Sequence, residues 1–202
     1  MNGPNAFRPR GRAAAPTRAV TVPVSLAPDE AARDLAPRLR ALAGQGTPAS
    51  SLGEGARSQR AVPVVTIDGY SGSGKSTLAA ALARLVNGWQ VLHLDDWYPG
   101  WDGLVAGAEI ARRIAADLRG GRASSYEPWD WENGTTGATI RVPLAPTIIE
   151  GCGAIEAEAD LAVWIADPGE GERRARALAR DGQTYAPHWQ RWADQDLGRS
   201  LP

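Results

Sequence analysis

Cysteine, methionine, phenylalanine and lysine each occur once in these 202 residues, and each scarcity excludes something. A single thiol, Cys152, cannot close an internal disulfide, which suits a protein of a reducing compartment, with the cytoplasm as the expected place. No apolar run approaches the roughly 20 residues that a membrane helix requires, so no membrane partner is expected. The formal net charge is only -1, leaving no broad field to draw the chain to nucleic acid. Any anion it binds must therefore be held locally. The two histidines, His93 and His188, make no zinc-site spacing and read as structural. The lysine is the most informative scarcity, because every other basic residue is arginine. Arginine serves surfaces and planar bidentate pairing, whereas a lysine ammonium on its slim stem reaches into a narrow phosphate cradle. The position of Lys75 is thus independent evidence for where such a cradle lies.

Residues 1–25 carry arginines, no acid and frequent Pro, Ala and Gly, and read as a disordered tail. The arginine-rich start also has the composition of a transit peptide, but it lacks the apolar core of a secretory signal. Residues 26–60 form an accessory helix and linker: Ala31, Leu35, Leu39 and Leu42 fall at helical spacing after an acidic start, with Pro37 set to kink or break the helix, and residues 44–60 are Gly- and Ser-rich.

From Val62 the texture changes, and residues 61–202 read as one domain. VPVVTID (62–68) is a β-branched run with no polar face, as in a parallel strand covered on both sides. VLHL (91–94), PTIIE (146–150) and LAVWIA (161–166) are further strands, separated by helical patterns at Leu78, Leu82, Leu85 and at Ile110, Ile114, Leu118. Alternating strands and helices predict a three-layer α/β fold with a mostly parallel sheet flanked by helices. No fifth apolar run follows residue 166, so the expectation is a sheet of four core strands or a shortened domain.

Between the first strand and its helix the chain reads Gly69-Tyr70-Ser71-Gly72-Ser73-Gly74-Lys75-Ser76-Thr77, which satisfies G-x-x-x-x-G-K-[ST] in the strand-to-helix context that gives this motif its meaning. Glycines let consecutive N–H groups turn inward on phosphate oxygens at a positive helix N-terminus. Lys75 would reach the β/γ-phosphates of ATP, and Ser76 a Mg²⁺ ion. Acids at strand ends are placed to meet whatever the loop holds, and Asp95 and Glu150 both stand there. Two carboxylates about 4 Å apart repel by roughly 4 kcal/mol at an effective dielectric of 20, a repulsion that a divalent cation reverses. Ser76, Asp95 and Glu150 are therefore the expected metal partners, and Asp95 the candidate base.

These residues resemble the uridine kinase family of P-loop kinases, related to phosphoribulokinase and bacterial pantothenate kinase, over roughly residues 62–185. Asp68 to Ser76 is similar to that family's phosphate loop and Asp95-Asp96-Trp97-Tyr98 to its D-x-F-Y segment, whose first Asp is the catalytic base. Tyr126-Glu127-Pro128-Trp129-Asp130-Trp131 resembles its acceptor-pocket segment, Ile149-Glu150-Gly151 its E-G, and Arg173 to Asp181 its arginine-bearing lid. The resemblance implies ATP-dependent phosphoryl transfer to a small-molecule acceptor, nucleoside or nucleotide, with Asp96, Tyr98, Trp129 and Asp130 around the acceptor and Mg²⁺ as cofactor. Trp129 stands where the family has a tyrosine, and the family's E-R-G-R continuation of the lid is missing.

Four tryptophans, Trp97, Trp101, Trp129 and Trp131, fall in two acidic stretches near that acceptor region, where flat rings could stack on a planar ligand or simply pack. Arg176 and Arg180, four apart on one helical face, are the candidates to neutralise a transferring phosphoryl group; a solvated face paired with Glu170 and Glu172 is the alternative. Two other readings stay open on the sequence: a P-loop ATPase whose hydrolysis drives a switch, and an ATP-binding module with little turnover. No feature assigns an oligomeric state.

Overall fold

A computed structural model describes residues 19–44 and 61–199. Five parallel strands form one sheet: β1 (Val20–Val22), β2 (Val64–Asp68), β3 (Gln90–His93), β8 (Thr147–Glu150) and β9 (Leu161–Ile165), in the order β1-β9-β2-β8-β3. The most hydrophobic run, β2, is central, and all five of its residues are buried. Alternate residues face opposite sides, as a pleated strand demands: Val64 enters the core on one face of the sheet, while Val65 and Ile67 enter the core on the other.

One face is covered by α1 (Pro28–Gly44) and α2 (Lys75–Leu85), whose alanine- and leucine-rich stripes meet over Val65, Ile67, Ile148 and Val163. The other face carries α3 (Leu104–Arg119), α4 (Glu170–Tyr185) and α5 (Trp189–Leu197). Between α3 and β8 two small antiparallel pairs stand apart from the main sheet: β4 (Ser124–Tyr126) with β7 (Ile140–Val142), and β5 (Trp129–Asp130) with β6 (Thr135–Thr136).

The four expected strands and the helices between them are present. The N-terminal boundary differs. Residues 1–18 and 45–60 lie outside the described residues, but residues 20–22 belong to the sheet rather than to a tail. Val20, Thr21 and Val22 pair in parallel with Val163, Trp164 and Ile165, so the edge strand missing downstream of residue 166 is supplied from upstream of the phosphate loop. Three residues are too short to show a period-2 pattern, which is why the run is silent in the sequence. The accessory helix belongs to the same unit, since Ala31, Ala32, Leu35, Ala36 and Leu39 are buried against α2 and the sheet. Pro37 does not break α1. It lies on the exposed face, where the carbonyl deprived of its N–H partner can be solvated by water.

Candidate active site

The phosphate loop leaves the end of β2 and enters α2 at Lys75. Two of its glycines are required by geometry. Gly72 and Gly74 have φ of 79° and 105°, and a Cβ on Gly72 would sit 2.2 Å from the carbonyl oxygen of Arg173. The first amides of α2 have no acceptor within the helix, which leaves them available to an anion. Ser73, buried in the loop, has a hydroxyl with no partner among the described residues.

The loop is gripped from α4 and α5. Arg173 donates to Ser71 O at 3.3 Å, is fixed by Asp167 at 2.7 Å and lies 4.8 Å from the centre of the Tyr70 ring. Tyr185 Oη and Ser71 Oγ are 2.9 Å apart, and Asp196 accepts the Ser71 N–H at 2.9 Å. Asp196 itself is buried beside Asp68 at the end of β2, with Arg199 joining them. The guanidinium donates to both Asp68 oxygens at 2.8 and 3.2 Å and to Asp196 Oδ1 at 2.6 and 2.9 Å. Asp68 also accepts the N–H groups of Gly69, Gly153 and Ile155, so one carboxylate ties the phosphate loop to the turn after β8.

Lys75 Nζ, nearly buried, lies 3.1 Å from Tyr70 O and 3.3 Å from Cys152 Sγ. Burial works against its charge, but the Cys152 sulfur and the carboxylates of Asp196, Glu150 and Asp68 outweigh it and hold the ammonium above its usual pKa. The thiol of Cys152 is also pushed up, to about 12, chiefly by burial, and stays protonated.

Glu150, at the end of β8, is buried and bonded to the Ser76 hydroxyl and to His93 Nδ1, the latter at 2.6 Å. Desolvation would raise its pKa, yet His93, Lys75 and Ser76 together hold it below the ordinary value. Asp95 sits in the single 3₁₀ turn Leu94–Asp96 that follows β3. Water reaches it through the pocket mouth, but protein encloses it on most sides, and this desolvation, aided by the charge of Glu150 and opposed by Lys75 and Arg180, raises its pKa.

These groups share one pocket of about 580 Å³. Lys75, Ser76, Asp95 and Glu150 all line it, and Arg180 reaches in from α4 while bonded to Asp181 at 2.7 and 2.8 Å. The remaining wall is aromatic. Trp101 stacks on both Tyr185 and His188, at 5.3 and 4.3 Å between ring centres, and leans on Trp131 at 4.7 Å, while Tyr98 meets Trp192 edge-on. Tyr98 donates to Cys152 O at 2.6 Å.

Not every residue singled out in the sequence lies in this pocket. Asp96 turns away to bond Tyr126. The Asp130 carboxylate closes the β5–β6 turn by accepting from Glu132 and Asn133, and Trp129 packs beside Gly100. Trp97 is a core residue whose indole N–H bonds Gly107 O. Arg176 pairs with Glu172 and lines a different cavity, although it lies only one turn before Arg180 on α4. Conversely, Tyr185, Asp196 and Arg199 hold the loop without any motif to mark them, and Arg173, which the sequence placed in the lid segment, grips the loop instead. Asp196 and Arg199 are two of four charged residues in positions 189–199, so nothing in the sequence sets them apart.

The residues present suit a magnesium ion. Among the described residues no three acidic or imidazole groups form a closed cage, but Mg²⁺ asks for one or two carboxylates and takes its other oxygens from phosphate and water. The Ser76–Glu150 pair, with Asp95 disturbed by the Glu150 charge, offers hard oxygen donors where a cation is electrostatically welcome.

No family model and no curated protein matches the sequence. Solved structures do. One is a possible uridine kinase from Bacillus stearothermophilus, 20% identical, aligned over 81% of this chain and 92% of that one with a TM-score of 0.46. Another is a putative fructose transport system kinase from Silicibacter, 20% identical over 83% of this chain and 96% of that one, with a TM-score of 0.50. At that identity the likeness speaks for fold alone. The chain has the fold of a P-loop kinase, with its edge strand drawn from upstream of the phosphate loop.

Proposed function

We propose that this protein is a phosphotransferase that moves the γ-phosphoryl group of ATP to a hydroxyl of a small uridine-kinase-like acceptor, a nucleoside or nucleotide. The observation that carries this reading is the shared pocket: the phosphate loop, two strand-end carboxylates and an aromatic wall enclose one space of about 580 Å³, a volume suited to a small molecule. A switch ATPase needs only a placed water and has no use for an aromatic chamber beside its phosphates.

In this scheme the backbone of residues 69–76 and the Lys75 ammonium hold the phosphates. Ser76 and Glu150, with Asp95 alongside, would hold Mg²⁺, which when bound neutralises charge on the phosphate oxygens. Asp95 accepts the proton of the acceptor hydroxyl. Its environment supports this, since burial and the Glu150 charge raise its pKa and so make its carboxylate a better proton acceptor. Arg180 faces Asp95 and is the cation placed to meet charge developing on the transferring group. The acceptor's ring lies against the aromatic wall formed by Tyr98, Trp101, Trp131, Tyr185 and Trp192.

The test is ADP formation with Mg²⁺ across nucleosides, nucleoside monophosphates, pantothenate and sugars, with Lys75→Ala as the blank. Acceptor-dependent ADP, absent in the variant, is the expected result. ADP released equally without any acceptor would replace this reading with a switch ATPase, and full activity in Lys75→Ala would remove the phosphate-loop scheme.

A further inference from the structure

Glu150 ends β8, an interior strand of the sheet, and is only 3% exposed. A carboxylate so far out of water needs hydrogen-bond donors to stay charged. Two side chains supply them from different elements: the Ser76 hydroxyl from the first turn of α2, and Nδ1 of His93 from the end of β3, the latter at 2.6 Å. The register of the sheet brings the second one in. His93 and Glu150 are Cα partners in the parallel pair, each two residues beyond a member of the apolar pair Val91 and Ile148, so both side chains rise on the α2 face. Because β3 is an edge strand, the imidazole keeps 44% of its surface in solvent while Nδ1 meets the buried acid. Glu150, held ionised, can only accept, so Nδ1 carries the hydrogen.

We infer that His93 is a positioning residue: its Nδ1–H holds the Glu150 carboxylate beside Ser76, where the pair can serve a magnesium ion, an assignment that rests on the Mg²⁺ site proposed above. A glutamate turns about three side-chain bonds before its carboxylate is placed, and a single hydroxyl contact leaves much of that freedom. The Lys75 ammonium is a competing attraction, since the two charges are felt at each other's positions. A carboxylate drawn onto that ammonium would withdraw an oxygen from the metal and a cation from the phosphates together. In the structure Lys75 donates instead to Tyr70 O and Cys152 Sγ, and Glu150 is held by its bonds to His93 and Ser76. Metal ligands are commonly fixed by an outer hydrogen bond of this kind, which sets their orientation before the ion arrives. Both histidines read as structural in the sequence. His188 fits that reading by stacking on Trp101, whereas His93 meets an acid of the candidate active site.

The experiment titrates Mg²⁺ by calorimetry into the full chain held in excess over a non-hydrolysable ATP analogue, so that no turnover enters the reading. His93→Phe keeps a flat ring and loses the donor. His93→Asn keeps a donor, because its amide nitrogen lies as many bonds from Cα as Nδ1 does. Half-exposed at the end of an edge strand, His93 can be replaced without opening the core. The expected result is Mg²⁺ affinity about tenfold lower in His93→Phe and within about threefold of the parent in His93→Asn, with affinity for the metal-free analogue within about threefold in both. Mg²⁺ affinity in His93→Phe within about twofold of the parent, whatever its Tm, overturns the assignment and leaves His93 a structural partner of Glu150. A loss that asparagine does not restore overturns it as well. Glu150→Gln separates this inference from the reading beneath it. Unchanged Mg²⁺ affinity in that variant removes Glu150 from the metal site, and the His93 assignment falls with it; a loss there that His93→Phe does not share removes the His93 assignment alone.

Discussion

Replacing Arg199 by leucine would strip the cation from between two buried carboxylates. The guanidinium makes four bonds of 2.6–3.2 Å to Asp68 and Asp196, and the three side chains are 4%, 0% and 1% exposed. Breaking a buried ion pair by removing one partner costs about 3–5 kcal/mol, because a charge is left without compensation in the interior. Asp68 keeps three backbone donors, which softens the loss on its side, but Asp196 retains only the Ser71 amide and the Cys152 thiol. At roughly 2–4 °C per kcal/mol for a chain of this size, Tm should fall by about 6–20 °C in thermal unfolding followed by circular dichroism. The partner substitution separates electrostatics from lost packing: adding Asp196→Asn to Arg199→Leu removes one of the two stranded charges, so the double variant should regain several degrees. A single variant within about 2 °C of the parent would refute the reasoning, and so would a double variant whose losses simply add.

Asp95→Asn should lower kcat by about 10²-fold or more while leaving the affinity for ATP near that of the parent, read from steady-state kinetics and calorimetry; loss of both together would make Asp95 an organiser of the nucleotide site. Gly72→Ala forces a Cβ onto the Arg173 carbonyl and a left-handed backbone that alone costs about 1–2 kcal/mol, so tripolyphosphate binding should be lost and Tm lowered. Asp117 offers a pH test. Burial alone would raise its pKa, but bonds from Ser124 and Arg122 outweigh that and hold it below the ordinary carboxylate value. Its contribution to stability is present above that ordinary value and is lost as pH falls through the lowered one. Asp117→Asn should therefore lower Tm by at most about 4 °C at neutral pH, as expected of a partly exposed pair, and flatten the acid limb of the Tm–pH curve. An unchanged acid limb would show that the carboxylate is not coupled to folding.

How much of this was legible in the sequence depended on whether a feature is local. The phosphate loop was, because its spacing and its flanking strand and helix all lie within some twenty residues, and the lone lysine falls in it. The strand ends bearing Asp95 and Glu150 were legible for the same reason. Residues that act across the fold were not. Nothing near Arg199 signals that its partner is Asp68, and a valine-threonine-valine run is too short to announce a strand. The aromatic wall was half legible: Trp101 and Trp131 line the pocket while Trp97 and Trp129 pack elsewhere, a division set by which way the short turn after β3 and the β5–β6 pair present their side chains.

The origin of the edge strand bears on how the chain folds during synthesis. Val20 emerges long before its partner Val163, and the central strands that lie between them in the chain must be made before the two can meet. Closing so long a loop adds little to the equilibrium cost, which grows only with the logarithm of length, but contacts of this separation slow folding. The leading strand must therefore wait unpaired while the nascent chain grows. Its three-residue length and the flanking Pro23 limit what else it could pair with in that interval, so brevity here is a safeguard against misassembly on the ribosome.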